Sequence, residues 1–158
     1  MKRFKKLTLM LSISLVVFLV GCTAVEQVVI EPFDKSITVE KDFDDVWGTL
    51  VSFMSINDIS IQTIEKDSGL IALRGENLSS GLITQLCDAQ PFFLSTISSG
   101  SASGSITVVD DDGFITVNVN TRFTATHYSG MTNPPTYSTR NCNSRGHFEK
   151  SVLGSISG

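Results

Sequence analysis

The residues that could build a nucleophilic catalytic site are few and widely separated in the sequence. His127 and His147 are the two histidines, and hydrolysis through an activated serine or cysteine needs a histidine and an orienting acid beside the nucleophile. The run Gly100–Gly104 carries alanine where a nucleophile elbow has its serine. Cys142 lies five residues before His147, but no thiol-enzyme signature surrounds it. The sequence therefore predicts a protein that is not an enzyme.

Metal and cofactor chemistry is also weakly indicated. The cysteines Cys87 and Cys142 and the two histidines could together ligate zinc only if folding gathered them, because they lack the paired short spacing of structural zinc sites. The acidic run Asp110–Asp112 lacks the alternation and the closing glutamate of a calcium-binding EF-hand loop, and a tight hairpin turn explains it. The other carboxylates fall in predicted caps and turns rather than in a pair suited to a glycosidase. We predict no metal and no cofactor.

The strongest chemical signal is the tetrapeptide Leu19–Cys22, in which small residues and a cysteine close an apolar run. That run, Leu7–Val20, follows four basic residues within the first six positions. It has about 14 residues where a membrane-spanning helix needs about 20, so a cleaved signal is favoured over a transmembrane anchor. The pattern resembles the lipobox of bacterial lipoproteins that signal peptidase II processes. An ordinary secretory signal with a coincidental cysteine is the alternative.

The lipoprotein resemblance implies cleavage before Cys22 and a thioether-linked diacylglycerol on its sulfur, usually with a further N-acyl chain such as palmitate. Two or more chains anchor a protein stably, since each buried methylene contributes about 0.8 kcal/mol. Thr23 stands where an aspartate would indicate retention in the inner membrane, so analogy with Gram-negative sorting implies the outer membrane, facing the periplasm. The predicted organisation is a signal peptide over 1–21, a lipidated tether over 22–35 and one domain over 36–158.

The charge of the chain changes when the predicted signal is removed. The 158 residues carry a formal charge of −4, but four of the twelve basic residues precede Cys22. The remaining 137 residues, enough for one domain with its own core, hold eight Lys and Arg against sixteen Asp and Glu, a formal −8. Such a surface repels phosphate backbones and anionic headgroups. Nucleic acid is therefore not a predicted partner, and membrane attachment is assigned to the lipid.

The two cysteines that remain, Cys87 and Cys142, are predicted to form a disulfide. Cysteines of an exported protein usually pair in an oxidising compartment. The bridge would close a loop of about 55 residues, which contributes roughly 4 kcal/mol in the chain-entropy treatment. Two independent buried thiols are the alternative.

Apolar periodicity predicts the first half of the fold. A first strand is expected over 36–40, and apolar residues at spacings of three and four, through Ile56, predict a helix over 43–57. Asp42 is its predicted N-cap, with Asp45 placed as in a capping box, and Trp47 is a predicted core residue. Strands over 59–65 and 70–74 are expected to form a hairpin, whereas residues 75–87 fit a short helix or a buried strand.

The second half alternates between clear and weak signals. Residues 88–104 are expected to be irregular, with a flexible Ser/Gly run and with Phe92 and Phe93 either anchored in the core or exposed to a partner. Residues 106–126 predict a long hairpin whose returning strand has one apolar and one polar face. Residues 127–142 are expected to be irregular again, and a last helix is expected after Asn143 or Ser144.

The summed order predicts an α+β fold, an antiparallel sheet with two main helices packed on one face. This order, opened by the strand, helix and hairpin of Ser36–Arg74 and preceded by a lipid anchor, resembles the helix-grip modules of the BamC-type outer-membrane lipoproteins. The resemblance implies an accessory subunit of an envelope complex. The chain departs from that family in having one domain where the family has two, and in lacking its long unstructured N-terminal segment.

Three functions follow as hypotheses. The first is a non-enzymatic lipoprotein that binds or scaffolds other envelope proteins. The second is a carrier of an apolar ligand or lipid, held between the long sheet and the first helix. The third is a cell-wall or ester hydrolase, which would need both histidines in one cleft.

Overall fold

The structure, a computed structural model, describes residues 29–92 and 94–158, so Cys22, the predicted signal and Phe93 lie outside the described residues. The described residues form an α+β fold, as predicted, with a six-stranded antiparallel sheet and three helices. None of those helices is both long and apolar enough to cross a membrane. The strands are β1 (Ser36–Val39), β2 (Ile61–Glu65), β3 (Leu70–Ser79), β4 (Thr96–Asp111), β5 (Phe114–Ser129) and β6 (Thr136–Cys142); the helices are α1 (Phe43–Ile56), α2 (Ser80–Leu86) and α3 (His147–Ser157).

The hairpin formed by β4 and β5 contains the two longest strands and lies at the centre of the sheet. Each strand has 16 residues, and the two pair from Thr96 opposite Tyr128 to Asp111 opposite Phe114, with one β-bulge between Ile97 and Ser99. Asp112 and Gly113 join them with φ values of 50° and 88°, the positive angles that a two-residue type I′ turn requires. The amide of Gly113 also donates to the Asp110 side chain over 3.2 Å. The predicted long hairpin and its Asp-Gly turn are confirmed.

The remaining strands flank this hairpin. The path across the sheet is β1-β5-β4-β3-β2, and β6 also pairs with β5. Strands β1 and β6 share one edge of β5, because β1 pairs with residues 115–118 and β6 with residues 123–129. Between them, the carbonyl of Lys35 accepts a 2.8 Å hydrogen bond from the amide of Val119, so the end of the predicted tether contacts the domain.

One face of the sheet is covered and the other is open. Along β5 the predicted apolar positions Ile115, Val117 and Phe123 are buried. The helices α1 and α3 contact each other over this face. Asp42 caps α1 by accepting from the amide of Asp44, and Trp47 is buried as predicted.

Ile56 does not belong to the buried face of α1, contrary to the prediction. It is 81% exposed. The buried positions Leu50 and Met54 are four residues apart, whereas Ile56 lies two residues beyond Met54 and so points to the opposite side of the helix.

The prediction of a flexible Ser/Gly connection over residues 98–104 is wrong, because these residues lie inside β4. Small residues there let α2 approach the strand closely: a Cβ on Gly100 would lie 2.5 Å from Cγ1 of Ile83. Backbone pairing with β3 and β5 stabilises the segment on both sides. Serines alternate with Gly or Ala, so hydroxyls line the open face and small residues line the covered face.

The predictions for the last third of the chain also need correction. Strand β5 continues to Ser129, and β6 occupies Thr136–Cys142, so residues 130–135 alone are irregular between them. The last helix begins at His147 rather than directly after Asn143 or Ser144. Its cap is Gly146, with a left-handed φ of 80°, and the ring of Phe33 occupies the space where a Cβ would stand.

The buried apolar residues of the described chain divide into two clusters. The large core, beneath α1 and α3, contains fourteen buried residues from Val46 to Ile156. The small core, beneath α2, contains five. Its members are Ile83, Cys87, Ala89, Phe123 and Ala125.

Candidate functional site

The outer edge of β3 is partly unpaired. Strand β2 pairs with β3 as far as Leu73, where its partner is Ile61. Strand β3 then continues to Ser79, still paired with β4 on its inner side. Within the described part of the chain no strand pairs with the outer edge of residues 75–79. Such an edge presents N–H and C=O groups that can bind an added strand.

A groove begins at this free edge and crosses the covered face of the sheet. It has a volume of about 340 Å³ and separates α2 from the end of α1 and the start of α3. Its rim is polar and includes Asp58, Arg74 and Glu76, charges of both signs. Its lining is mainly apolar and comes from Leu73, Leu78, Leu82, Leu86, Phe123 and Phe148.

The short helix α2 builds one wall of the groove. Ser79 ends β3 and caps the helix, its hydroxyl accepting from the amide of Leu82 over 3.3 Å. Ile83 is fully buried against the sheet. Leu82 and Leu86 therefore line the groove, and Leu82 remains 42% exposed. An exposed leucine at the mouth of an apolar groove is available to a binding partner.

The two predicted disulfide cysteines anchor α2 to the far strand. Cys87 follows α2 and Cys142 ends β6; their sulfur atoms are bonded at 2.14 Å and their Cα atoms are 5.7 Å apart. Next to the bridge, Asp88 accepts a 2.7 Å hydrogen bond from the amide of Asn143 and a 2.9 Å bond from its side chain. The position of the groove wall thus depends on a covalent link and on the contacts beside it.

The histidines occupy different surroundings. His127, near the end of β5, is 5% exposed, and its ring centroid lies 4.7 Å from that of Phe92. The guanidinium of Arg140 lies 4.3 Å from the same Phe92 ring. Burial first, and then the positive charge of Arg140, lowers the pKa of His127. His147 is the exposed first residue of α3.

The residues considered as metal ligands at the sequence level are not gathered by the fold. Among residues 29–92 and 94–158, no group of three or more His, Cys, Asp or Glu side chains is close enough to hold a metal ion. Phe92, which was expected either in the core or at a contact surface, is 39% exposed and covers His127.

One buried acid was missed from the sequence. Glu149 is fully buried and accepts hydrogen bonds from the hydroxyls of Thr121 and Ser144, the latter over 2.8 Å. It links the first turn of α3 to β5, where a carboxylate also suits the helix dipole. The signal was its spacing, because Glu149 precedes Val152 and Ile156 by three and seven residues on the buried stripe.

No family model and no curated protein matches this chain. The chain itself offers three features that bear on function: the free strand edge, the groove beside it and the sequence pattern at residues 19–22.

Proposed function

We propose that this protein is a lipid-anchored component of the bacterial cell envelope that binds an extended apolar segment of another envelope protein. The segment adds as a strand to the free edge of β3 and places its apolar side chains in the groove. The role is one of binding or scaffolding rather than catalysis. The proposed location is the outer membrane, facing the periplasm, with Cys22 carrying the lipid.

The observation that carries the binding proposal is the juxtaposition of a free edge and an apolar groove. Backbone pairing along an edge supplies affinity that is independent of sequence, whereas pockets for alternate side chains supply specificity. Residues 75–79 offer the free backbone groups for pairing, and the apolar wall formed by Leu78 and Leu82 offers the contacts for side chains. The charges of both signs on the rim suit a protein segment with polar residues between its apolar ones.

The anchor is supported by the sequence of the first 22 residues. A basic start, a short apolar run and a closing cysteine favour lipid modification of Cys22. Intact mass spectrometry of protein purified from membranes, with and without Cys22→Ser, tests this point separately from the groove. Acyl mass on the parent protein and its absence from the variant are expected.

Photo-crosslinking in intact cells tests the groove. Replacement Leu82→benzoylphenylalanine places a photoreactive side chain at the mouth of the groove. We expect a discrete protein adduct, because the added strand would lie against this wall. The same adduct should weaken severalfold when Leu78→Asp introduces a charge into the apolar lining.

Val109 provides the matched control for this experiment. It is an aliphatic residue of β4 that is 50% exposed, similar to Leu82, but it does not line the groove. Equal labelling from positions 82 and 109, or an adduct that is insensitive to Leu78→Asp, would show that the groove is not the binding site.

A second candidate occupant is an acyl chain, which would make the protein a lipid carrier. The apolar lining and the volume of about 340 Å³, within the range of small-ligand sites, favour it. Native mass spectrometry of the purified protein distinguishes the two. A co-purifying lipid that Leu82→Asp displaces would favour the carrier function over the binding of a protein segment.

A further inference from the structure

The acidic residues of the chain are concentrated at one end of the sheet. This acidic end comprises the junction of β1 and α1, the β2–β3 turn and the β4–β5 turn. The three segments are adjacent: Val39 pairs with Ile115 at the start of β5, and Lys66 in the β2–β3 turn forms a 2.8 Å salt bridge with Asp44 of α1. Nine carboxylates and two lysines lie there. The carboxylates are Glu40, Asp42, Asp44, Asp45, Glu65, Asp67, Asp110, Asp111 and Asp112.

The opposite end has a different chemistry. Residues 113–148 contain no carboxylate side chain, and residues 89–109 contain no charged side chain. The two ends are separated by the length of β5, which at about 3.3 Å per residue is roughly 50 Å. That distance is several times the Debye length of about 8 Å at physiological ionic strength. The negative charge of the acidic end is therefore screened at the opposite end and does not keep that end away from an anionic surface.

Apolar side chains are exposed at this opposite end, on the loop before β4, on the loop after β5 and at the start of β6. Leu94 is 53% exposed, and Met131 and Tyr137 are each 68% exposed. The loop that carries Leu94 contacts the end of β5, because the hydroxyl of Ser129 donates to the carbonyl of Leu94 over 3.3 Å. The ring of Tyr137 also packs 5.3 Å from that of Tyr128. We call the group Leu94, Met131 and Tyr137 the apolar tip.

We propose that the apolar tip contacts the surface of the lipid bilayer to which the protein is anchored. This inference rests on the lipid anchor of the proposed function. Leucine and methionine enter the acyl boundary, whereas tyrosine is typical of the headgroup level. Arg140, whose guanidinium lies over the Phe92 ring, adds a positive charge to the cleft that Asp88 also lines, and the nine carboxylates of the acidic end lie at the far end of the sheet from the tip.

The length of the N-terminal segment is compatible with this orientation. Ile30 lines a cleft together with Phe123 and Asn143. Phe123 lies six residues before the end of β5, a distance of about 20 Å along the strand. Six residues lie between Cys22 and Val29, and the seven Cα–Cα steps from one to the other span at most about 24 Å in an extended chain. A lipid on Cys22 can therefore enter the same membrane surface that the tip contacts. Tethering also makes a weak contact sufficient, because it raises the effective concentration of the bilayer.

Lipid-specific fluorescence quenching tests the orientation. The acylated protein is purified from membranes, its acylation is verified by intact mass, and it is reconstituted in vesicles of phosphatidylethanolamine and phosphatidylglycerol that contain phospholipids brominated near the headgroup. One variant carries Met131→Trp. The matched control is Phe114→Trp at the acidic end, since Phe114 is 52% exposed. Trp47, the single native tryptophan, is buried and gives a constant background.

We expect the tryptophan at position 131 to be quenched severalfold more than the one at position 114, and Leu94→Asp to reduce that difference. Equal quenching at both positions would overturn the proposal. A second result would also overturn it: brominated lipid fails to quench the tryptophan at position 131, yet in native envelopes the same tryptophan is shielded from a water-soluble quencher. That combination would mean that a protein, and not the bilayer, covers the apolar tip. A mass without acyl chains would instead refute the anchor, and the mass measurement distinguishes that failure from a failure of the tip.

Discussion

The two cores of this molecule are stabilised in different ways. In the described chain the large core buries fourteen residues beneath two helices, whereas the small core buries five beneath a helix of seven residues. At about 25 cal/mol per Å² of apolar surface, the few residues of the small core can contribute only a minor share of the burial energy. The disulfide lies within the small core. In this molecule the covalent link therefore lies where apolar burial is weakest.

The groove lies at the boundary between these two cores. Leu73 belongs to the large core and Phe123 to the small core, and both line the groove. A binding site between a rigid half and a weakly packed half can adjust its width if α2 shifts, and the Cys87–Cys142 bridge limits that shift. The difference in packing between the large and the small core therefore affects both the stability of the fold and the width of the groove.

Removal of the disulfide should have the largest effect. The double replacement Cys87→Ala and Cys142→Ala should lower the free energy of unfolding by about 4 kcal/mol, because the unfolded chain regains the entropy of a loop of 55 residues. Guanidinium unfolding measures this loss. Hydrogen exchange should show amides of α2 and β6 losing more protection than amides of α1 and β1, which share only the loss that follows from the lower global free energy of unfolding.

Reduction of the parent protein with dithiothreitol is the matched control, because it breaks the same bond without changing a side chain. It should reproduce the pattern of exchange seen in the double variant. Equal loss of protection in both halves would show that the two cores form one cooperative unit, which would contradict the comparison.

A methyl group at Gly100 should have the next largest effect. In Gly100→Ala the new Cβ would lie 2.5 Å from Cγ1 of Ile83 and 2.6 Å from the carbonyl oxygen of Thr124. Overpacking of this kind costs about 1–3 kcal/mol, and it should push α2 away from β4. Guanidinium unfolding measures the cost.

Gly75→Ala is the control for this substitution in the neighbouring strand. The nearest atom to a Cβ there is the carbonyl oxygen of Ala102, at 3.9 Å, and Gly75 is exposed. We expect a change within about 0.5 kcal/mol. A similar loss for both variants would mean that strand propensity, rather than contact with α2, explains the glycine at position 100.

The large core was predictable from the sequence because its residues are apolar and periodic. The stripe of α1 and the alternation along β5 both indicate a buried face. The small core was not predictable in this way. Ile83 and the rest of the small core pack against Gly100 and Ala102 of β4, residues that favour a flexible segment by composition, and only their alternation with serine indicated a strand.

Strand β6 and the free edge of β3 had still weaker signals. Residues 136–141 are all exposed, so β6 shows no apolar periodicity, and it exists because it pairs with β5. The edge at residues 75–79 is defined by where β2 stops, which depends on partners distant in sequence. Such features follow from strand pairing, and local propensity does not specify them.

The smallest expected effect is a pH dependence of the free energy of unfolding. It arises from His127, near the small core. The pKa of His127 is lowered in the folded protein, first by burial and then by Arg140. At pH values about one unit or more above 6.5, the ordinary pKa of histidine, the residue is neutral in both states and contributes almost no pH dependence. As the pH falls below that value, the unfolded chain binds a proton that the folded chain resists, so the free energy of unfolding decreases until the folded pKa is passed.

Unfolding by guanidinium at pH 7.5 and pH 5.5 measures this contribution. In His127→Gln the decrease on acidification should be smaller than in the parent protein, and in Arg140→Gln it should be intermediate, because one of the two causes remains. His147→Gln is the control, since that histidine is exposed, and it should leave the decrease unchanged. If His127→Gln and His147→Gln changed the decrease in the free energy of unfolding equally, burial beneath Phe92 would not be what holds His127 neutral. Acid sensitivity would then not distinguish the half of the molecule around the small core from the half around the large core.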